Sequence, residues 1–300
     1  MDDNRSPGIS YTAAFFMLIA FVITALMVVG EITAPLWTAM TGKSVAILRD
    51  GPWSPEDSAA MRTVQVITVL LGFFLPAVVT ARIISRRPLA LLGFSRGARL
   101  QQVGLILLIM GTALLVSTSF SYFNNQIPVP GSWKIWFDKM ELEYNQQVEV
   151  IVNLKSGSDY LFALVVMAFL PALCEETLFR GGLQNFLSQA TGKPWLSIVI
   201  ISILFSLAHI SFYGFLSRLF LGIILGALFH YSGKLWLSIL AHFINNAVAL
   251  TVLYVYIQQG KSLQEAMKTD MATWWGILAL PVIIGLFILF KKYSVNRNPV

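Results

Sequence analysis

Long apolar runs separated by short polar segments dominate this chain. A membrane-spanning α-helix needs about 20 mostly apolar residues, because the bilayer core offers no water to hydrogen-bond a bare backbone. The pattern therefore predicts an all-α polytopic membrane protein with about eight transmembrane helices. The eight predicted spans are 11–33, 62–84, 103–123, 158–187, 194–213, 215–231, 235–257 and 273–290.

The longest polar interruption is segment 124–157. It begins with helix breakers at 124–131 and continues with large apolar residues among charged ones, which predicts an amphipathic helix lying in the membrane interface. We interpret this helix as a surface element without chemistry of its own rather than as a substrate gate. The chain is accordingly divided into an N-terminal three-helix region with this outer segment (1–157), a membrane core (158–257), and a last transmembrane helix with a cytoplasmic tail (258–300).

Composition and charge agree with membrane insertion and suggest an orientation. Hydrophobic residues make up 56% of the chain and charged residues 12%, whereas about a quarter of a soluble protein is charged. Loop 82–99 has five arginines and no acid, which is typical of a cytoplasmic loop. Residues 1–5 are not basic, so segment 11–33 is predicted to be a retained helix and not a signal peptide.

These features lead to expectations about location and partners. We expect an integral membrane protein, in the plasma (inner) membrane of a prokaryote, with both termini cytoplasmic. Membrane lipid is an expected partner. Nucleic acid is not, because the arginines adjoin membrane spans and no soluble domain presents them. The pattern leaves the oligomeric state open.

Ionisable side chains within spans are the candidates for chemistry, since each costs roughly 2.5–3.5 kcal/mol on insertion scales. Glu176 and Arg180 are four residues apart, so their side chains meet on one helix face and neutralise each other. Glu175 is turned about 100° away from Glu176 and has no such partner. Glu175 is therefore the candidate general base or acid.

Two further pairs share helix faces by the same four-residue spacing. The ring of Phe205 is predicted to form one wall around His209, and His242 and Asn246 present two hydrogen-bond donors side by side. One carboxylate, one histidine and a His/Asn donor pair are the parts needed for water-mediated amide hydrolysis. In this interpretation Glu175 and His209 activate the water, while the donor pair stabilises the oxyanion.

Three motifs contain these residues. Residues 175–180 match Glu-Glu-x-x-x-Arg, residues 205–209 match Phe-x-x-x-His, and residues 242–246 match His-x-x-x-Asn. In this order, on separate spans, they resemble the CPBP family, which comprises CAAX prenyl endopeptidases and bacteriocin-processing enzymes (the Abi group), over about residues 158–252. The resemblance implies an eight-helix glutamic-type intramembrane endopeptidase with an aqueous cavity open toward the cytoplasm. It also implies that Glu175 and His209 activate water, that His242 and Asn246 form the oxyanion site, and that Glu176 and Arg180 support them.

Other functions fit part of the pattern. Two carboxylates and two histidines could bind catalytic zinc, although the sequence lacks His-Glu-x-x-His; no cofactor is expected otherwise. A proton-coupled transporter also uses intramembrane Glu and His, but no inverted repeat is evident. A non-catalytic immunity or scaffold protein could retain the same residues. The expected substrate of the peptidase is a peptide or a membrane-protein tail.

Overall fold

The computed structural model describes residues 8–95, 97–154, 156–261 and 274–294. In these ranges, seven helices are long and apolar enough to cross a membrane, and the all-α polytopic class is confirmed. They are α1 (Tyr11–Thr41), α2 (Pro55–Ile84), α3 (Leu100–Asn125), α5 (Gly157–Thr191), α7 (Phe215–Ser232), α8 (Leu235–Gln258) and α9 (Trp274–Ser294). The helix α4 (Gly131–Val152) lies between α3 and α5, and α6 (Pro194–Leu207) lies between α5 and α7. Two short helices, Val45–Asp50 and Pro88–Leu91, lie in the connections before α2 and α3.

The prediction of a full span over 194–213 is wrong in its length. Helix α6 has 14 residues and is about 21 Å long, which is less than the roughly 30 Å of a hydrocarbon core. It ends because the chain reverses: Ile210 has a positive φ of 49°, which a right-handed helix does not accommodate. The hydroxyl of Ser206 then donates to the carbonyl of Phe215 at 2.7 Å and closes the turn.

The outer surface of the spanning helices is apolar. Large hydrophobic side chains are exposed on helices from both ends of the chain, among them Phe16, Met27, Leu107 and Ile284. In water such a large apolar surface would promote aggregation, whereas it is the expected surface of a helix that contacts lipid. An integral membrane location is therefore supported. Residues 1–7 and 295–300 lie outside the described residues, so the predicted cytoplasmic positions of both termini stay predictions.

The segment that was predicted to lie in the membrane interface forms α4, which is fixed at its C-terminal end. Val150, Ile151 and Val152 are buried there, and the guanidinium of Arg62 donates to the carbonyls of Ile151 and Val152, both at 2.7 Å. The N-terminal half instead exposes aromatic and aliphatic side chains, including Trp136.

Two buried clusters position the candidate residues. One joins α1 and α2 to α5 and α6, and it includes Leu18, Ala77, Phe186 and Phe205. The other joins α3, α7, α8 and α9. Helices α5, α6 and α8 meet between these clusters, which places the three motifs in the interior of the bundle.

Candidate functional site

Helix α5 supplies two neighbouring carboxylates in a locally widened segment. Residues Leu170–Glu176 are α-helical, and Thr177–Gln184 wind as a π-helix, a distortion that is frequent at functional sites. Glu176 and Arg180 are buried, and Nη1 of Arg180 lies 2.7 Å from Oε1 of Glu176. The ion pair expected from their spacing is therefore present.

Arg180 reaches beyond this carboxylate to a neighbouring helix. Its Nη2 donates to the carbonyl of Gly222 on α7 at 3.1 Å, and its guanidinium lies 4.6 Å from the ring centroid of Phe205. Helix α7 packs closely on α6 at this point because Gly222 has no side chain. A Cβ at Gly222 would lie 2.8 Å from the Cβ of Ser202 on α6. Gly222 thus combines close helix packing with an acceptor for the buried arginine.

His242 on α8 is bound to the same carboxylate, a contact that the sequence analysis missed. Its Nδ1 lies 2.9 Å from Oε1 of Glu176. A carboxylate oxygen can only accept, so Nδ1 of His242 has the proton. The Nε2 of His242 faces Oε2 of Glu175 at 3.9 Å, which is too far for a direct hydrogen bond. Spacing within one helix contains no information about such contacts between helices.

Glu175 differs from Glu176 in its bonding. Its side chain is 13% exposed, yet its Oε2 is buried and has no hydrogen-bond partner among the described residues. Oε2 of Glu176 and Nε of Arg180 also lack partners there. Buried polar atoms are normally bonded to protein or water, so three such atoms in one cluster indicate a site that binds a polar molecule.

His209 lies beyond the end of α6, in the turn that leads to α7. Its Nδ1 is 2.8 Å from the carbonyl oxygen of Phe205, so Nδ1 is the donor and the Nε2 of neutral His209 presents a lone pair. The Phe205 ring lies 4.9 Å from the His209 ring and 5.7 Å from the His242 ring, measured between centroids. The predicted contact of Phe205 with His209 is present. His209, however, lies in the turn after α6, whereas the prediction placed both residues in one continuous helix.

Asn246 follows His242 by one helical turn on α8 and is half-buried. The amide nitrogen of Asn245 donates to Oδ1 of Asn246 at 3.2 Å. This bond occupies the oxygen of Asn246, so the NH₂ group is the part of its side chain that remains available as a donor.

The side chains that could bind a metal ion are the same ones that form the cluster. In the described ranges, no group of three or more His, Cys, Asp or Glu side chains is arranged to hold a metal ion. Oε1 of Glu176 is already shared by Arg180 and His242. The zinc alternative would therefore have to rely on Glu175, His209 and the Nε2 of His242.

Part of the chain matches a known family model. No curated protein and no solved structure matches the chain. Residues 157–248 match the family model described as type II CAAX prenyl endopeptidase Rce1-like. This region contains all three motifs, and the match supports an intramembrane CAAX-type endopeptidase as the general class. Residues 157–248 are thus similar to the Rce1-like family, which is consistent with a CPBP-family membrane protease.

Proposed function

We propose that this protein is an intramembrane endopeptidase that hydrolyses a peptide bond of a membrane-associated peptide or protein. The observation that supports this most directly is the unpartnered Oε2 of Glu175, which is buried and faces the Nε2 of His242 at 3.9 Å. These two atoms are too far apart for a direct hydrogen bond, but a water molecule between them can bond to both. A carboxylate with no cation bound to this oxygen is suited to accept a proton from that water.

In the proposed reaction Glu175 and His209 together hold and deprotonate the water. The lone pair on the Nε2 of His209 accepts a hydrogen bond from it, because Nδ1 is committed to the carbonyl of Phe205. The hydroxide attacks the scissile carbonyl carbon, and the proton on Glu175 then passes to the leaving amine. Atoms balance with water as the only co-reactant.

His242 and Asn246 are proposed to stabilise the tetrahedral oxyanion. The NH₂ group of Asn246 can donate directly. The Nδ1 proton of His242 is bound to Glu176, so His242 can donate from Nε2 only as the imidazolium. Glu176 and Arg180 therefore act by holding the ring and setting its protonation, rather than by touching the substrate.

The test is hydrolysis by the purified protein in proteoliposomes. The probes are an internally quenched farnesylated CAAX peptide and the same peptide without the lipid, and cleavage in H₂¹⁸O places one ¹⁸O in the new carboxylate. Glu175→Gln and His209→Ala are expected to lower kcat by about 10²-fold or more. Glu31→Gln is the matched control, because Glu31 is an exposed carboxyl on another spanning helix.

The outcomes separate the candidate functions. Cleavage that both substitutions abolish supports the proposal, and the two peptides show whether the lipid is required. Cleavage abolished by a chelator and restored by zinc would favour the metal version. If comparison of membrane peptides from cells with wild type, Glu175→Gln and His209→Ala shows identical profiles, and neither probe is cleaved, the peptidase proposal is wrong.

A further inference from the structure

Outside the three motifs, a set of polar contacts binds the turn that contains His209. The turn comprises residues 208–214, between α6 and α7. We use the name outer latch for the side chains of Asn124 on α3 and of Asp138 and Glu141 on α4 that bind this turn. Neither α4 nor the end of α3 belongs to the matched family region.

The latch binds three consecutive residues of the turn. Oγ of Ser211, a buried residue, donates to Oε2 of Glu141 at 2.7 Å. The hydroxyl of Tyr213 donates to Oδ1 of Asp138. Between them, Phe212 stacks on Phe137 of α4 with 4.4 Å between ring centroids. Hydrogen bonds from hydroxyls to carboxylates are stronger than those between neutral groups.

Asn124 fixes the backbone of the turn from the other side. It is 1% exposed, its amide nitrogen donates to the carbonyl of Phe212 at 2.9 Å, and its Oδ1 accepts from the amide of Leu216 at 3.1 Å. One side chain thus spans the turn and the start of α7. Asn124 lies in the last turn of α3 and is also the first residue of segment 124–131, which the sequence predicted to break the helix.

The backbone inside the latch is strained next to His209. Ile210 has φ 49°, and a β-branched residue at positive φ is unfavourable by on the order of 1–3 kcal/mol unless the surroundings impose it. The Ile210 side chain is 61% exposed, so its own packing does not impose this conformation. The backbone N–H of Ile210 donates to the carbonyl of Leu207 at 3.0 Å, and the side-chain contacts to α4 lie on the following three residues.

We infer that the outer latch positions His209, by holding the strained backbone at Ile210 so that the imidazole keeps its bond to the carbonyl of Phe205. This inference rests on the proposed role of His209 and extends it to residues of α3 and α4. Asp138, Glu141 and Asn124 are positioning residues: they contact the turn, not the reacting atoms. Without the latch, Ile210 relaxes to negative φ and the His209 ring rotates away from its partner.

The experiment reads the tautomer of His209 directly. The chain has three histidines, so ¹⁵N-histidine-labelled protein in lipid bilayers gives three imidazole signal sets, assigned with His230→Asn and His242→Asn. In the wild type, His209 should be the Nδ1–H tautomer. In Ser211→Ala combined with Tyr213→Phe, which removes only two hydroxyls, it should become a mixture of both tautomers. His242 should be unchanged, and kcat for the cleaved probe should fall by about ten-fold with KM unaltered.

Rescue and control variants make the test specific. Ile210→Asn in the doubly substituted protein should restore the Nδ1–H tautomer, because Asn adopts positive φ more readily than Ile. Glu143→Gln on α4, whose partner is Lys139 and not the turn, should leave His209 unchanged. A wild-type tautomer and kcat in the doubly substituted protein would overturn the inference, and failure of Ile210→Asn to rescue would overturn the role of strain. If the tautomer responds but no peptide is cleaved by the wild type, the latch stands and the proposed function fails.

Discussion

Arg180 and Glu176 form an ion pair that is enclosed by protein, with side chains 1% and 0% exposed and a distance of 2.7 Å between Nη1 and Oε1. Arg180→Met leaves the Glu176 carboxylate with the Nδ1–H of His242 as its remaining hydrogen bond among the described residues. Breaking a buried ion pair by removing one partner costs about 3–5 kcal/mol, because the other charge stays buried and uncompensated. We expect Tm to fall by roughly 6–20 °C.

The double substitution Arg180→Met with Glu176→Leu distinguishes charge from packing. Both buried charges are then gone. The remaining cost in stability comes from His242, which loses its acceptor, and from the Gly222 carbonyl, which loses its donor, at about 1–3 kcal/mol each. The loss of stability in the double variant should therefore be smaller than the sum of the two single losses by about 2 kcal/mol or more. Glu176→Leu and the double variant should lose the proposed peptidase activity, because the Nδ1–H of His242 then has no acceptor on Glu176. Arg180→Met keeps this acceptor, so its activity should fall less.

The assay is a double-mutant cycle in detergent micelles. Cys174 is the one cysteine of the chain and is buried, so its reaction with a thiol reagent reports unfolding. The matched control is the pair Lys139 and Glu143, which has the same spacing but is exposed, with 3.7 Å between Nζ and Oε1. Its coupling should be about 0.5 kcal/mol or less. Additive losses at Arg180 and Glu176, with coupling no larger than in this control, would refute the reasoning.

Two further predictions concern helix packing and pH. Gly222→Ala should destabilise the protein by about 1–3 kcal/mol, because the new Cβ would lie 2.8 Å from the Cβ of Ser202; an unchanged Tm in micelles would contradict this. The pKa of Asp138 is lowered by hydrogen bonds from Lys134 and Tyr213, and that of Tyr213 is raised by its bond to Asp138. The contribution of Asp138 is thus lost only as pH falls below about 4, and that of Tyr213 only as pH rises above about 10. Between pH 5 and 9 the bond of Tyr213 to Asp138 should be constant, so Tyr213→Phe should scale kcat in this window without moving its pH midpoints.

The sequence alone was sufficient for the all-α class, for most of the spans and for the contact of Glu176 with Arg180. Apolar runs of the right length are a direct consequence of the bilayer, so the class and most helices follow from composition. The pair of Glu176 with Arg180 follows from four-residue spacing in the same way. The π-helical segment that contains Arg180 did not prevent this contact, because the long arginine side chain adjusts to the wider turn.

The end of α6 and the contacts between helices could not be predicted from the sequence. Residues 208–213 are apolar enough to extend the helix, and only the positive φ of Ile210 and the turn contacts show that it has ended. The bond of His242 to Glu176 joins residues 66 positions apart. Periodicity along either helix predicts only which residues share a face of that helix, so it cannot predict this contact. The latch was hidden for the same reason, since α4 was interpreted from its amphipathic pattern as a surface helix.

Charge conservation connects the buried pair to the proposed chemistry. The proposed mechanism starts from two carboxylates and an imidazolium at His242, so it assigns no net charge to the cluster of Glu175, Glu176, Arg180 and His242. When Glu175 takes the proton of the attacking water, the cluster gains one positive charge at the moment when the oxyanion acquires one negative charge. The total does not change, so no charge has to enter or leave a site surrounded by lipid, where uncompensated charge is costly. In this proposal Glu176 and Arg180 exchange no proton with the substrate, and their ion pair keeps the acceptor of His242 in place.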